Sequence, residues 1–160
     1  MSPTAEFALT LTDWTTIGHA GAAGVRVPDA IKTLLASETP QHAALNEAAL
    51  ENLIVAQGSV EEAAEPAISV LLAALADDPP SHIRVPILDL LFQICIGGPA
   101  DQADVGLIAR CHDRVREGLW LLVREAVEGA RDAALDVLDI VDESRASALR
   151  DYHPRLKPNE

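Results

Sequence analysis

PQHAALNEAALENLIVAQG, residues 40–58, returns forty residues later as PSHIRVPILDLLFQICIGG, residues 80–98. Pro40, His42, Leu50, Ile54 and Gly58 thus recur as Pro80, His82, Leu90, Ile94 and Gly98. Each copy opens on a proline, which suits a helix start because its missing N–H has no intrahelical partner there. Each copy closes on a glycine, which suits the cap that follows a helix. Between the copies, residues 60–77 have room and apolar content for one more helix. One helix pair per forty residues is the period of an α-solenoid, where each pair buries its apolar stripe against the next. The expected fold is therefore all-α: a short α-solenoid of about three antiparallel helix pairs, at about 28–57, 60–96 and 103–150, forming a single domain over 1–160. The last pair keeps the pattern but breaks the spacing, as terminal units do.

Working outward, helical periodicity predicts helices at 28–37, 40–57, 60–77, 80–96, 103–127 and 130–150, with a short turn near 13–19. In 40–57, Leu45, Ala49, Leu53 and Ala56 mark an apolar face; in 130–150, Ala134, Val137, Leu138, Val141 and Ala148 do the same. No stretch reads as a strand. Ser59-Val60-Glu61-Glu62 has the form of a capping box. Gly58, Gly97, Gly98 and Gly129 suit left-handed caps. Pro66 and Pro86 lie inside proposed helices, where a proline kinks the helix or moves its start inward. The ends, 1–8 and 152–160, are expected to be loose. The expected core is Leu50, Leu53, Ile54, Leu71, Leu75, Ile87, Leu90, Leu91, Ile94, Leu122, Val137 and Val141.

Composition narrows the function. The chain has 160 residues, enough for one domain that buries roughly 70% of its unfolded surface. With 12 Lys+Arg against 25 Asp+Glu, the net charge of −13 argues against nucleic acid, whose phosphates call for a cationic face. It also argues against anionic membrane surfaces. Met1-Ser2-Pro3-Thr4-Ala5-Glu6 lacks the basic and apolar regions of an export signal, so the expected location is cytoplasmic. Cys95 and Cys111 form no C-x-x-C and read as buried, inert thiols. No metal or other cofactor is expected.

Three segments carry a resemblance: Trp14-Thr15-Thr16-Ile17-Gly18-His19-Ala20-Gly21, Val27-Pro28-Asp29-Ala30-Ile31, and Ile54-Val55-Ala56-Gln57-Gly58. On these the chain resembles HEAT/armadillo-type repeat proteins, and more narrowly a group of actinobacterial HEAT-like proteins of mostly unknown function. That group shows a Trp, a His-Ala-Tyr-Gly, a proline-initiated helix and a His-Gln-Gly. Here Gly21 follows Ala20 directly, and Ala56 stands where the His of His-Gln-Gly would be. The resemblance covers about residues 12–100 and implies a bacterial helical-repeat scaffold.

Two polar sets are candidates for a partner-binding surface. On the last helix, Asp132, Asp136, Asp139 and Glu143 step by 4, 3 and 4, which places them on one face as an acidic ridge. Such a ridge steers a cationic partner, though most charged stripes are simply the solvated side of an amphipathic helix. On helix 80–96, His82, Asp89 and Gln93 share a face, with His42 and Asn46 expected beside them from helix 40–57. His82 and Asp89 are two turns, or about 10 Å, apart along the axis, too far for a catalytic pair. No catalytic residue is assigned. Arg110, Arg114 and Arg116 alternate with Asp113 and Glu117 as a self-paired face, and Trp14 and Trp120 read as core anchors. The expected function is non-catalytic binding of a protein or peptide, basic by charge, in an accessory, scaffold or immunity-type role. The alternatives are a small-molecule binder or HEAT-like tailoring enzyme, and last a HEAT-like DNA glycosylase. A homodimer through an apolar end is a further expectation.

Overall fold

A computed structural model describes residues 2–18 and 24–152. His19-Ala20-Gly21, part of the resemblance, and the tail beyond Tyr152 lie outside the described residues. Among the described residues there are nine α-helices and three two-residue strands. The chain is thus predominantly helical, as its periodicity predicts, and no described helix is long and apolar enough to cross a membrane.

Residues 2–8 are not loose. Helix α1, Pro3–Thr10, has Ser2 as its cap, whose hydroxyl accepts from the Ala5 N–H, and Pro3 in its first turn. Ala5 and Leu9 are buried, and the helix packs against α4, Ala64–Ala76. Trp14, in a short 3₁₀ turn at Trp14–Thr16, is buried, and its indole N–H donates to the Leu9 carbonyl at 3.0 Å.

Helix α2, Val27–Leu35, packs against α3, Pro40–Ile54. Thr39 caps α3 by accepting from the His42 N–H at 3.2 Å. The buried stripe of α3 is Ala43, Leu50 and Ile54, not the face expected from Leu45, Ala49, Leu53 and Ala56. Leu45 is 70% exposed, and Leu53 is only half-buried. Two overlapping apolar stripes compete on this helix, and the one that meets its neighbours carries Glu47 between Ala43 and Leu50.

Helix α3 also ends three residues earlier than expected. Val55–Ala56 forms strand β1, paired antiparallel with β2, Ser59–Val60. Gln57 and Gly58 turn between them with φ of 53° and 79°, the left-handed pair that a two-residue hairpin of type I′ requires. Ser59 is therefore in a strand and caps nothing; the Glu62 carboxylate instead accepts from the Gly18 N–H at 3.1 Å. The next helix, α4, starts inward at Ala64, leaving Pro66 in its first turn, where proline is tolerated.

Helix α5, Ser81–Ile96, runs through Pro86. Strand β3, Gly98–Pro99, pairs parallel with β2, and the Gly98 N–H donates to the Gly58 carbonyl at 3.0 Å. The two glycines that close the forty-residue repeat thus meet. Their partners Leu50, Leu90, Ile54 and Ile94 are all fully buried. Gly97 and Gly129 hold ordinary negative φ values rather than the left-handed caps expected of them.

The two long C-terminal helices each divide. Residues 103–127 become α6, Leu107–Glu117, and α7, Leu119–Glu128, split at Gly118. A Cβ on Gly118 would lie 2.4 Å from Leu72 Cδ2, so a side chain here would require Leu72 of α4 to move. Residues 130–150 become α8, Arg131–Val141, and α9, Glu143–Asp151, because the Asp142 side chain accepts from the Arg145 N–H and starts a new helix. Helix α3 packs on α5, α5 on α8, α4 on α6, and α7 on α8. Eleven of the twelve expected core residues are buried, Leu53 excepted.

The register is testable by urea unfolding. Leu91→Ala, at a fully buried position, is expected to cost about 2–5 kcal/mol. Leu45→Ala is expected to stay within about 0.5 kcal/mol. Equal costs would show that the buried face of either helix is misassigned.

Candidate functional site

A narrow strip of α5 faces outward: His82, Val85, Asp89, Phe92, Gln93 and Ile96 are each at least partly accessible and lie on one side of the helix, apart from the partly accessible Arg84. His82, Asp89 and Gln93 do share a face, as their spacing predicts. Asp89 and Val85, the latter 46% exposed, open with Leu88 and Phe92 onto a cavity of roughly 290 Å³. Glu47 of α3 and Ala133 and Asp136 of α8 complete its lining. Three carboxyls from three helices thus converge beside an apolar wall.

Glu47 is the residue that periodicity misses. It falls between Ala43 and Leu50 on the buried stripe of α3, at steps of 4 and 3. Half-burial, a hydrogen bond with Asp89, and the charges of Asp89 and Glu51 push its carboxyl up to about 7. Desolvation is the largest cause: a partly buried carboxylate loses hydration, so the neutral acid is favoured. Its signal in the sequence is an acid set at core spacing within a weakly apolar helix.

The other named residues separate from this cavity. His42 is exposed and lines, with Lys32 and Asn46, an open hollow of roughly 490 Å³ between α2 and α3. The Asn46 side-chain N–H donates to Ser37 Oγ at 2.9 Å and to the Thr33 carbonyl at 3.3 Å. His82 Nε2 lies 2.9 Å from the Ser37 carbonyl, an acceptor, so this nitrogen carries the hydrogen. Both side chains tie the end of α2 to its neighbours. His82 and Asp89 do not come together as an acid–base pair.

The acidic ridge is only partly continuous. Asp132, Asp136 and Asp139 lie on α8, but Glu143 begins α9, since Asp142 breaks the helix between them. Asp139 pairs with Arg150, whose guanidinium is held charged by Asp139, Asp136 and Glu143. Arg150 offsets part of the ridge, and Asp136 is the member that also opens on the cavity. No group of three or more metal-binding side chains is close enough to hold an ion, among the described residues.

The basic residues are engaged elsewhere. Arg110 contacts Glu65 and Asp104, Arg114 contacts Glu117, and Arg116 contacts Asp113. The self-paired reading of this patch holds, with Glu65 and Asp104 as added partners. Trp120 is not a core anchor: it is 74% exposed, with the Arg145 guanidinium 5.4 Å from its ring centroid. Cys95 and Cys111 are buried, and burial pushes both thiols up to about 12, which keeps them protonated and unreactive.

A second cavity, also roughly 290 Å³, surrounds Glu125, a carboxylate only 1% exposed. Arg84 Nε lies 3.2 Å from it, and Arg124 donates to it at 3.3 Å. A buried charge paired on two sides is a structural joint between α5 and α7, not an open recognition group.

No protein-family model, curated protein or solved structure matches the chain. The α3–α5–α8 cavity is accordingly assigned from its own chemistry.

His82→Ala leaves the Ser37 carbonyl without its partner and is expected to destabilise the chain by about 1–3 kcal/mol, measured by urea unfolding. A loss under about 0.3 kcal/mol would free His82 for a role at the surface.

Proposed function

We propose that this chain is a non-catalytic binding module, a short HEAT-like α-solenoid whose α3–α5–α8 face receives a basic segment of another protein or peptide. The observation that carries the reading is the cavity in which Glu47, Asp89 and Asp136 stand beside Val85, Leu88 and Phe92. A lysine or arginine side chain has the matching form, an apolar stem with a cationic head. The net charge of −13 supports the same sign of partner, because a one-sign surface raises encounter rates and penalises wrong partners.

The solenoid part of the proposal rests on the repeat. Its paired positions Leu50/Leu90 and Ile54/Ile94 are buried alike, and α3, α5 and α8 pack successively. Stacked pairs of this kind present a preformed surface, so a ligand bears little of the ordering cost. A nucleic-acid reading would need a groove of the opposite sign. The tailoring-enzyme reading loses its histidine, since His82 is tied to the end of α2. An accessory, scaffold or immunity-type role in the cytoplasm fits a module of this chemistry.

The test uses a lysine-rich probe peptide followed by fluorescence anisotropy at low and high salt. The association rate is expected to fall as salt rises. Asp89→Asn with Asp136→Asn is expected to weaken binding about tenfold, the equivalent of about 1.4 kcal/mol from two solvent-accessible ion pairs. Salt-independent binding, or binding indifferent to both substitutions, would overturn the assignment.

A further inference from the structure

The last turn of α9 lays a cation of the chain itself on the acidic face of α8. The Arg150 guanidinium bonds Asp139, which stands three residues, or about 4.5 Å of helix rise, beyond Asp136. Asp136 lines the cavity with Ala133, and its charge, with that of Glu143, also acts on Arg150. Asp136 is thus common to the cavity and to the surroundings of this arginine. The end of α9 is fixed beside α8, because the Arg131 guanidinium donates to the Leu149 carbonyl at 2.7 Å. That tie holds the backbone of α9 and lets the Arg150 side chain turn without moving the helix.

The bond made by Arg150 differs from those of the arginines that hold the fold. Arg131 reaches two backbone carbonyls, of Ala126 and Leu149, and Arg110 reaches two carboxylates, of Glu65 and Asp104. Arg84 and Arg124 close on Glu125, which is buried. Among the described residues, Arg150 engages the Asp139 carboxylate alone, with 48% of its own side chain and 35% of that of Asp139 open to water. A solvent-open single ion pair adds little to stability, so it yields readily to a competing charge. We propose that Arg150 is a built-in competitor of the basic partner: in the unbound chain it holds Asp139 beside the cavity, and the incoming cation displaces it.

The proposal rests on the reading of the α3–α5–α8 cavity as the site for a basic segment, and it names how that site is regulated. A lysine or arginine side chain at Asp136 brings a second positive charge within about one turn of α8 from the bond of Arg150. That span is shorter than the Debye length of about 8–10 Å at moderate salt, so the two cations repel. Turning Arg150 outward relieves the repulsion, returns its guanidinium to water, and opens Asp139 to a second basic side chain of the same segment.

The experiment compares binding of the lysine-rich probe by wild type, Arg150→Gln, Arg150→Lys and Arg114→Gln, using fluorescence anisotropy at low and high salt. Arg114→Gln makes the same change of charge on α6, outside the cavity lining, and so measures the effect of overall charge. Arg150→Gln is expected to bind about two- to fivefold tighter than Arg114→Gln at low salt, the range that one exposed ion pair commands. The gain is expected to shrink at high salt, where the repulsion is screened. Arg150→Lys keeps the competing charge and is expected to bind as wild type does. In wild type, the Arg150 Nε–H resonance is followed by NMR as probe is added, and it is expected to shift with saturation of the site. Equal or weaker binding by Arg150→Gln than by Arg114→Gln, or an Arg150 resonance unmoved by bound probe, would overturn the competitor and leave the site standing. Probe binding to none of the four proteins would overturn the site, and the competitor with it.

Discussion

Helix α5 has to bury nearly its whole circumference, and the arrangement of the other helices follows from that constraint. It packs against α3, α4, α6 and α8, and Ile83, Ile87, Leu88, Leu90, Leu91 and Ile94 are all removed from water. At about 1.5–3 kcal/mol for each large apolar side chain buried, this burial outweighs the roughly 3 kcal/mol that an internal proline costs. That balance explains why α5 continues through Pro86.

The candidate site is what the packing of α5 leaves open. One strip of the helix reaches solvent, and α3 and α8 flank it, so whatever those neighbours present along their inner edges becomes the cavity wall. They present Glu47 and Asp136, which meet Asp89 there. Desolvation from the surrounding apolar side chains then separates Glu47 from an ordinary surface acid. The polar ties at the N-terminal end of α5 act in the opposite way: His82 is used to fix the end of α2 and is withdrawn from chemistry.

The repeat was the most legible feature, because its apolar positions are buried in both copies. Leu50 and Leu90, and Ile54 and Ile94, are buried alike, and Gly58 meets Gly98 through a backbone hydrogen bond. The face of α3 was not legible. Leu45 makes the outer stripe look apolar, and an acid such as Glu47 disqualifies the inner one unless it is allowed to keep a proton. Helix α1 was readable from Ser2-Pro3, a cap followed by a first-turn proline, but chain ends invite the opposite expectation. The breaks at Gly118 and Asp142 lie inside unbroken helical periodicity, and tertiary contact and a side-chain cap decide them. Asp89 and Asp136 were found by spacing, whereas their meeting with Glu47 depends on how three helices pack.

Native-state hydrogen exchange measures the central constraint directly. If α5 is the element around which the others pack, the amides of Leu90, Leu91 and Ile94 exchange last in the chain, through global unfolding alone. Their protection then falls with urea at the full slope of the equilibrium transition. Amides of α9, which lies at the edge against α7 and α8, exchange earlier through local opening. Exchange of the α5 amides by local opening, at or before the rate of α9, would contradict the account.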